Sequence, residues 1–199
     1  PNKIKVPSYF PAIVYPDDNP YSKEKWILGR KLFFDKRLSI DTTLSCASCH
    51  KQTFAFADNT STSKGVKDRD GIRNVPTLSN VAFHPYYTRE GGLPTLEMQV
   101  LVPIQEHNEF DFNMVPIIER LSKDAEYQSL AMSGFGRKLD AFALVRALAT
   151  FERSIISANS RYDKYNYLNR ADVFTIQEKE GMDLFFSDKT NCSKCHAGF

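Results

Sequence analysis

Hydrophobic residues recur at helical intervals in several segments of the chain. In the clearest segment the intervals are four, three and four residues, formed by Leu144, Leu148, Phe151 and Ile155. Such intervals put the side chains on one face of a helix, and a continuous apolar face packs against a core. Asp140 is suited to cap the first turn. We therefore predict a helix that begins after Asp140 and ends near Asn159.

Other segments also carry helix signals. Ser22 is a suitable N-cap for a helix with apolar residues at i and i+4. Thr175-x-x-Glu178 is a capping box, which typically starts a helix. A further helical pattern begins at Val115 and fades near Ser133.

The remaining stretches favour irregular structure. A helix is excluded over residues 1–21 by the regularly placed prolines Pro7, Pro11, Pro16 and Pro20. The polar run from Asp58 to Asp70 predicts a long loop. No segment alternates apolar and polar residues as a half-buried strand would. The predicted fold class is therefore mainly α.

Composition excludes several classes of partner. The 26 basic and 24 acidic residues nearly balance and are spread along the chain, so no charged surface for nucleic acid or an anionic membrane is expected. The longest apolar stretch, from Ala141 to Phe151, contains Arg146 and is too short to span a bilayer. The first residues of the chain do not form the charged segment and apolar segment of a signal peptide, so we expect an export signal to have been removed.

Two copies of one motif carry the chemistry. They are Cys46-Ala47-Ser48-Cys49-His50 and Cys192-Ser193-Lys194-Cys195-His196. C-x-x-C-H is the attachment signature of c-type haem, in which both thiols bond the macrocycle and the histidine ligates the iron. A structural zinc site would close with four ligands rather than three, and a redox dithiol gives no reason for the histidine. We predict two covalently bound haems c and, since such haem is attached outside the bacterial cytoplasm, a periplasmic protein.

The segments before the two motifs resemble each other. Gly29-x-x-Leu32-Phe33-Phe34 precedes the first motif, and Gly181-x-x-Leu184-Phe185-Phe186 precedes the second. A glycine on a helix face permits a close helix crossing, so each motif is expected to begin its own cytochrome c-like haem domain. We place the first domain at residues 1–159 and the second at 160–199. Since only three residues follow His196, we expect the second domain to be incomplete here.

Several blocks of sequence, taken in order, resemble the bacterial dihaem cytochrome c peroxidase family, which includes the MauG proteins. The blocks are Leu28 to Asp35, Leu38-Ser39, Ser45 to His50, Arg73 to Leu78, Leu96 to Gln99, and Phe151-Glu152-Arg153. The resemblance implies that His50 is the proximal ligand of a haem that reacts with peroxide. It implies that His196 ligates a second haem, which receives electrons from a donor protein.

The same resemblance implies the residues above the first haem. The family places a Gln, a Pro four residues later and a Glu ten residues after the Gln, and Gln99, Pro103 and Glu109 stand at these intervals. Cleavage of a peroxide needs a proton moved between its two oxygens, which suits a carboxylate, here Glu109. Gln99 either hydrogen-bonds the peroxide or holds Glu109 in place. Asn74 matches a family position that binds a calcium ion.

The sequence also departs from the family. Many members keep a histidine in the loop before the Asn-x-Pro-Thr block, which blocks the first iron until the second haem is reduced. That position is Val66 here, so we predict an open coordination site without reductive unlocking. Arg89 stands where the family usually has a tryptophan between the haems. Either Tyr86 or Tyr87 replaces it, or no aromatic relay exists.

The function implied is an exported peroxidase that reduces hydrogen peroxide to water. Its electrons would come from a small c-type cytochrome or blue copper protein, and a homodimer is left open. One alternative is a MauG-like enzyme that oxidatively modifies a protein substrate. The other is an electron carrier without peroxide chemistry.

Overall fold

The computed structural model describes residues 2–196, and helices dominate them. The helices are α1 (Lys23–Phe33), α2 (Cys46–Cys49), α3 (Leu96–Gln99), α4 (Leu101–Gln105), α5 (Met114–Leu121), α6 (Ala125–Phe135), α7 (Ala141–Glu152), α8 (Arg161–Tyr167) and α9 (Ile176–Phe186). Short 3-10 turns connect several of them, and β pairing among the described residues is confined to isolated bridges. The predicted fold class, mainly α, is confirmed.

The described chain forms two compact units. The first contains residues 2–5 and Ile13–Ile156, and the second contains Val6–Ala12 with residues 157–196. The predicted domain boundary between residues 159 and 160 stays a prediction.

The core of the first unit lies where α1 crosses α7. Leu28, Leu32 and Phe33 of α1 are fully buried against the apolar face of α7. Gly29 allows the close approach, because a Cβ atom at this position would overlap the backbone carbonyl of Ala147. α6 packs on the other side of α1. The expected close helix crossing at Gly29 is therefore confirmed.

Helix starts follow the predicted caps, but one predicted helix end is wrong. The Ser22 side chain accepts a hydrogen bond from the Lys25 N–H at 3.2 Å, and Asp140 accepts one from Ala143 at 2.9 Å. α7 ends at Glu152 rather than near Asn159. The Ser154 hydroxyl donates to the Phe151 carbonyl, a local bond that competes with continued helix.

The helix predicted from Val115 to Ser133 is interrupted. α5 ends at Leu121, and α6 begins after Asp124, whose side chain accepts a hydrogen bond from the Glu126 N–H at 3.0 Å. The apolar pattern continues across the break, which is why it indicated one helix. An N-cap aspartate in mid-pattern was the signal for two helices.

The second unit is held by local contacts. The Thr175 capping box forms as predicted, with the Thr175 side chain accepting from the Glu178 N–H. Arg161 of α8 makes two hydrogen bonds to the Glu178 carboxylate, at 2.7 and 2.6 Å. Tyr9 stacks on Tyr167 with ring centroids 4.9 Å apart.

Within residues 2–196, none of the helices has the length and apolar character needed to cross a membrane.

Candidate active site

The first C-x-x-C-H motif lies on a single helical turn. Ser45 caps α2, and the Ser48 hydroxyl accepts a hydrogen bond from the Ser45 N–H at 3.0 Å. Helical spacing turns the Cys46 and Cys49 side chains toward the same side, as attachment to one macrocycle requires. Neither cysteine forms a disulfide, so both sulfur atoms are available to bond a macrocycle.

His50 is prepared to bind a metal through one nitrogen. Its Nδ1 lies 2.8 Å from the Phe56 carbonyl oxygen, and since a carbonyl only accepts, Nδ1–H must donate. The remaining nitrogen, Nε2, is then the basic one that ligates a haem iron. Burial lowers the pKa of His50, which favours the neutral imidazole needed for ligation.

Aromatic rings surround His50. The Phe33 ring centroid lies 6.4 Å from the His50 ring and 6.1 Å from the Phe56 ring. Phe33 is fully buried at the α1–α7 crossing, so this crossing fixes the position of the ring next to the histidine. Paired thiols, an oriented imidazole and an apolar aromatic lining together fit a covalently attached haem.

Glu109 lies in the turn that follows α4, and its backbone is tethered from two directions. The Val66 N–H donates to the Glu109 carbonyl at 2.9 Å, and the Phe110 N–H donates to the Pro103 carbonyl at 3.1 Å. A Cβ atom at Gly65 would overlap the Asn108 carbonyl, so the two loops touch closely. The loop over residues 64–70 therefore fixes the position of Glu109.

The Glu109 carboxyl lies close to the first haem motif. Its negative charge contributes to the raised pKa of both Cys46 and Cys49. Glu109 is an exposed residue, although neighbouring protein atoms partly desolvate its carboxyl. This desolvation, with the negative charge of Glu106, raises the pKa of Glu109. A raised pKa makes the carboxylate a stronger base, which suits it to accept a proton.

Gln99 is half-buried at the end of α3, and a buried ion pair holds this short helix. Glu97 makes two hydrogen bonds to Arg153, at 2.6 and 2.8 Å, and accepts a third from Asn19 at 2.9 Å. Burial pushes the pKa of Glu97 upward, but Arg153 outweighs it and lowers the pKa. Breaking such a pair would leave a buried charge without a partner.

Glu152 is a second buried carboxyl near the motif, to which the sequence assigned no role. Its Oε2 atom is buried without a hydrogen-bond partner among the described residues. Burial raises the pKa of Glu152 to about 8, partly offset by Arg153. Glu152 lies near enough to Cys46 to raise the pKa of that thiol. Glu97, Glu152 and Arg153 all occur in the sequence blocks shared with the family, and this was the available signal.

The second motif has similar local geometry in the second unit. Cys192 lies in a 3-10 turn, and the His196 N–H donates to the Cys192 carbonyl at 3.0 Å. Phe185 lies 6.5 Å from the His196 ring, as Phe33 lies beside His50. Cys195 and His196 are exposed within the described chain. The arrangement fits a second haem attachment.

Other predicted positions have varied surroundings. Val66 is fully buried, Tyr87 is 9% exposed, and Tyr86 is 59% exposed. Asn74 is exposed, and no group of three or more His, Cys, Asp or Glu side chains that could hold a metal occurs within residues 2–196. Calcium at Asn74 and an aromatic relay at Tyr86 or Tyr87 stay predictions.

Over residues 23–171 the sequence matches the family described as di-haem cytochrome c peroxidase. The chain belongs to this family. The matched region contains the first haem motif, Gln99, Pro103 and Glu109, and haem c is the cofactor that membership in this family implies.

The relatives of this chain include both MauG proteins and cytochrome c peroxidases. The methylamine utilization protein MauG of Methylorubrum extorquens is 31% identical over 188 residues, which cover 94% of this chain and 53% of the relative. The cytochrome c551 peroxidase of Pseudomonas aeruginosa is 32% identical over 183 residues, covering 90% and 52%. The chain thus spans about half the length of these curated relatives.

A solved structure in the same family is also similar. A MauG-like protein associated with microbial copper homeostasis superposes with a TM-score of 0.88 and is 35% identical, covering 98% of this chain and 58% of that chain. This similarity confirms the cytochrome c-like fold that the sequence predicted.

Proposed function

We propose that the whole protein is an exported dihaem peroxidase that reduces hydrogen peroxide to water. Peroxide would react at the haem attached at Cys46 and Cys49, and electrons would enter through the haem attached at Cys192 and Cys195. A small c-type cytochrome or blue copper protein would supply them. The observation that carries this proposal is the position of Glu109, whose desolvated carboxyl lies close to the first attachment motif.

Each residue would have a distinct part in the reaction. When bound, the haem supplies an iron atom that binds peroxide and exchanges electrons. Glu109 accepts a proton from one peroxide oxygen and returns it to the oxygen that leaves as water. Gln99 hydrogen-bonds the peroxide or orients Glu109, and Pro103 lines the site without adding an N–H donor. His50, whose ring is oriented by the Phe56 carbonyl, would ligate the iron through Nε2.

Val66 supports an open site for peroxide. The side chain at this position is apolar and fully buried, and its backbone N–H is bonded to Glu109. Valine has no atom that ligates iron, so the residue at the family's blocking position contributes no ligand here. Peroxide access would then need no prior reduction of the second haem.

The direct test compares Glu109→Gln with the wild type in the full-length holoprotein. Stopped-flow spectra would follow the haem after mixing with peroxide. We expect the second-order rate constant to fall by about a hundredfold or more, as for loss of a general acid–base group. Glu119→Gln, an exposed acid on α5, is the matched control and should react like the wild type. Equal rates in Glu109→Gln and the wild type, with both haems attached, would favour the electron carrier.

A MauG-like oxidation of a protein substrate is the second candidate. The identity with the MauG protein of M. extorquens and the absence of a histidine at position 66 favour it. Tyrosine rather than methionine as the far ligand of the second haem would support it further. Steady-state turnover of peroxide with reduced cytochrome c or a reduced blue copper protein distinguishes the peroxidase from the MauG-like enzyme. Rapid turnover would support the peroxidase.

A further inference from the structure

The only tryptophan of the sequence, Trp26, is half-buried on α1. Its indole N–H donates to the Ser154 hydroxyl oxygen at 2.7 Å, and its ring centroid lies 5.8 Å from that of Phe151. The hydrogen bond fixes the indole in one orientation, as is usual for a partly buried tryptophan. Tryptophan is also among the most easily oxidised side chains.

A continuous row of aromatic rings joins Trp26 to His50. The Phe151 ring lies 5.0 Å from the Phe33 ring, and the Phe33 ring lies 6.4 Å from the His50 ring. Each step falls within the range of direct ring contact. Electron tunnelling is faster through packed atoms than across gaps, so this row couples Trp26 to whatever metal His50 ligates.

Trp26 also lines an open cleft of about 470 Å³ in the first unit. The lining residues are Trp26, Ile27, Arg30, Lys31, Phe34 and Glu126. Lys31 pairs with Glu126, whereas Arg30 lies over the Phe34 ring at 5.7 Å and has no ion pair within residues 2–196. The cleft therefore contains two aromatic rings, Trp26 and Phe34, and the positive charge of Arg30, which together suit an anionic aromatic molecule.

We propose that Trp26 is a second oxidation site, through which an anionic aromatic one-electron donor in this cleft reduces the haem held by His50. The proposal rests on the proposed peroxidase function, because peroxide supplies the oxidising equivalents. Trp26 gives one electron to the peroxide-oxidised haem and becomes an indole radical cation, still hydrogen-bonded to Ser154. The donor in the cleft then gives one electron to Trp26 and restores it. No bond to the tryptophan forms or breaks.

The test uses Trp26→Phe and Trp26→Tyr in the full-length holoprotein. Phenylalanine keeps a ring but resists oxidation, whereas tyrosine keeps the capacity to lose an electron. With ABTS, a sulfonated aromatic dye, as reductant, we expect kcat to fall by about tenfold or more in Trp26→Phe and to recover in part in Trp26→Tyr. The rate at which peroxide changes the haem spectrum should equal that of the wild type in both variants.

A second readout does not depend on turnover. Wild-type holoprotein treated with peroxide without a reductant should show an organic radical by EPR and oxygen added to Trp26 by peptide mass spectrometry. Trp26→Phe should lose that radical signal. Arg30→Gln should raise the KM for ABTS without changing kcat, and an unchanged KM would overturn the cleft as the binding site.

The outcomes separate this inference from the proposed function. A wild-type haem that does not react with peroxide overturns both. If the haem reacts but Trp26→Phe oxidises ABTS at the wild-type rate, or Trp26 stays unmodified, only the inference fails. It also fails if Trp26→Phe and Trp26→Tyr slow the peroxide reaction and ABTS oxidation equally, because a purely structural role predicts that result.

Discussion

Glu106 and Glu109 share the turn after α4, and their charges interact. Desolvation and the charge of Glu106 both raise the pKa of Glu109. In the proposed reaction the carboxylate form accepts the proton from peroxide, so the rate should rise with pH through this raised pKa. Removing the Glu106 charge by Glu106→Gln should therefore move the acid limb of the pH–rate profile to lower pH. Stopped-flow rates measured across the acidic and neutral pH range would show this displacement.

Glu109→Gln serves as the reference for that experiment. With no titrating carboxyl at position 109, the acid limb should disappear and the remaining slow rate should be flat with pH. An acid limb that persists unchanged in this variant would assign the titration to another group.

Glu152 makes a prediction about stability rather than chemistry. In the unfolded chain its carboxyl ionises near the ordinary value of 4.5, whereas burial raises the folded pKa to about 8. Between these pH values the unfolded state binds fewer protons than the folded state, so the free energy of unfolding falls as pH rises, by at most about 1.4 kcal/mol per pH unit. The full stabilisation is present only below pH 4.5 and is lost as pH rises through about 8.

Denaturant titrations of the holoprotein over this pH range would test the assignment. Glu152→Gln should remove part of the decline, because the amide does not ionise, while Glu119→Gln should follow the wild type. Parallel profiles for Glu152→Gln and the wild type would show that the buried carboxyl does not titrate as described.

The sequence pointed to some site residues and not to others. Glu109 could be named because its interval from Gln99 matches the family, and His50 because it completes a covalent attachment motif. Glu152 lies in a block shared with the family, but neither its burial nor the hydrogen bonds from Arg69 to His107 and Asp111 are visible in the sequence. Nothing in a linear pattern shows that Arg69 reaches the turn that carries Glu109.

At the scale of elements, two glycines at equivalent sequence positions have different surroundings. A Cβ atom at Gly29 would overlap the Ala147 carbonyl, whereas no atom lies within 4 Å of a Cβ at Gly181. Gly29→Ala should push α1 away from α7 and lower the free energy of unfolding by about 1–3 kcal/mol. Gly181→Ala should instead stabilise this chain by about 0.5–1 kcal/mol, since alanine favours the helix.

Thermal and denaturant unfolding of the two variants of this chain would measure these changes. A neutral Gly29→Ala would mean that the helices do not cross as closely as the structure indicates. Destabilisation by Gly181→Ala would mean that α9 has a neighbour in contact with that face.

The loop of residues 64–70 and the turn that carries Glu109 form a second pair of elements. The Arg69 guanidinium donates to the His107 carbonyl at 2.6 Å and to the Asp111 carboxylate at 2.7 Å. Arg69→Ala should release the turn and slow the peroxide reaction by about tenfold to a hundredfold, because misplacing an acid–base group is costly. Stopped-flow rates of the holoprotein would measure this loss.

Lys64→Ala is the control in the same loop. Lys64 forms an exposed ion pair with Asp70 at 2.7 Å and makes no contact with the Glu109 turn that the structure records. Exposed pairs contribute little, so its rate should match the wild type. If Arg69→Ala also matched the wild type, the loop would not position Glu109.

Helix starts were more predictable than helix ends. Ser22, Asp140 and Thr175 act on the N–H groups of the next turn, so their effect is visible in a short sequence window. The end of α7 at Glu152 and the break before α6 depend on side-chain bonds and packing that override a continuing apolar pattern.

At the scale of the whole molecule, the two haem motifs and the family blocks predicted a mainly α, cytochrome c-like protein, which the fold and the family membership confirm. The first unit contains every residue assigned to the peroxide site. The far ligand of the second haem could not be predicted, because the C-x-x-C-H motif specifies only one iron ligand, His196.

We propose that the haem held by His50 would have no ligand from position 66, which would leave room for peroxide next to Glu109. The most direct measurement is the EPR spectrum of the resting ferric holoprotein. We predict a high-spin signal from this haem, because Val66 supplies no ligand. A spectrum in which both haems are fully low-spin with two protein ligands would contradict the account.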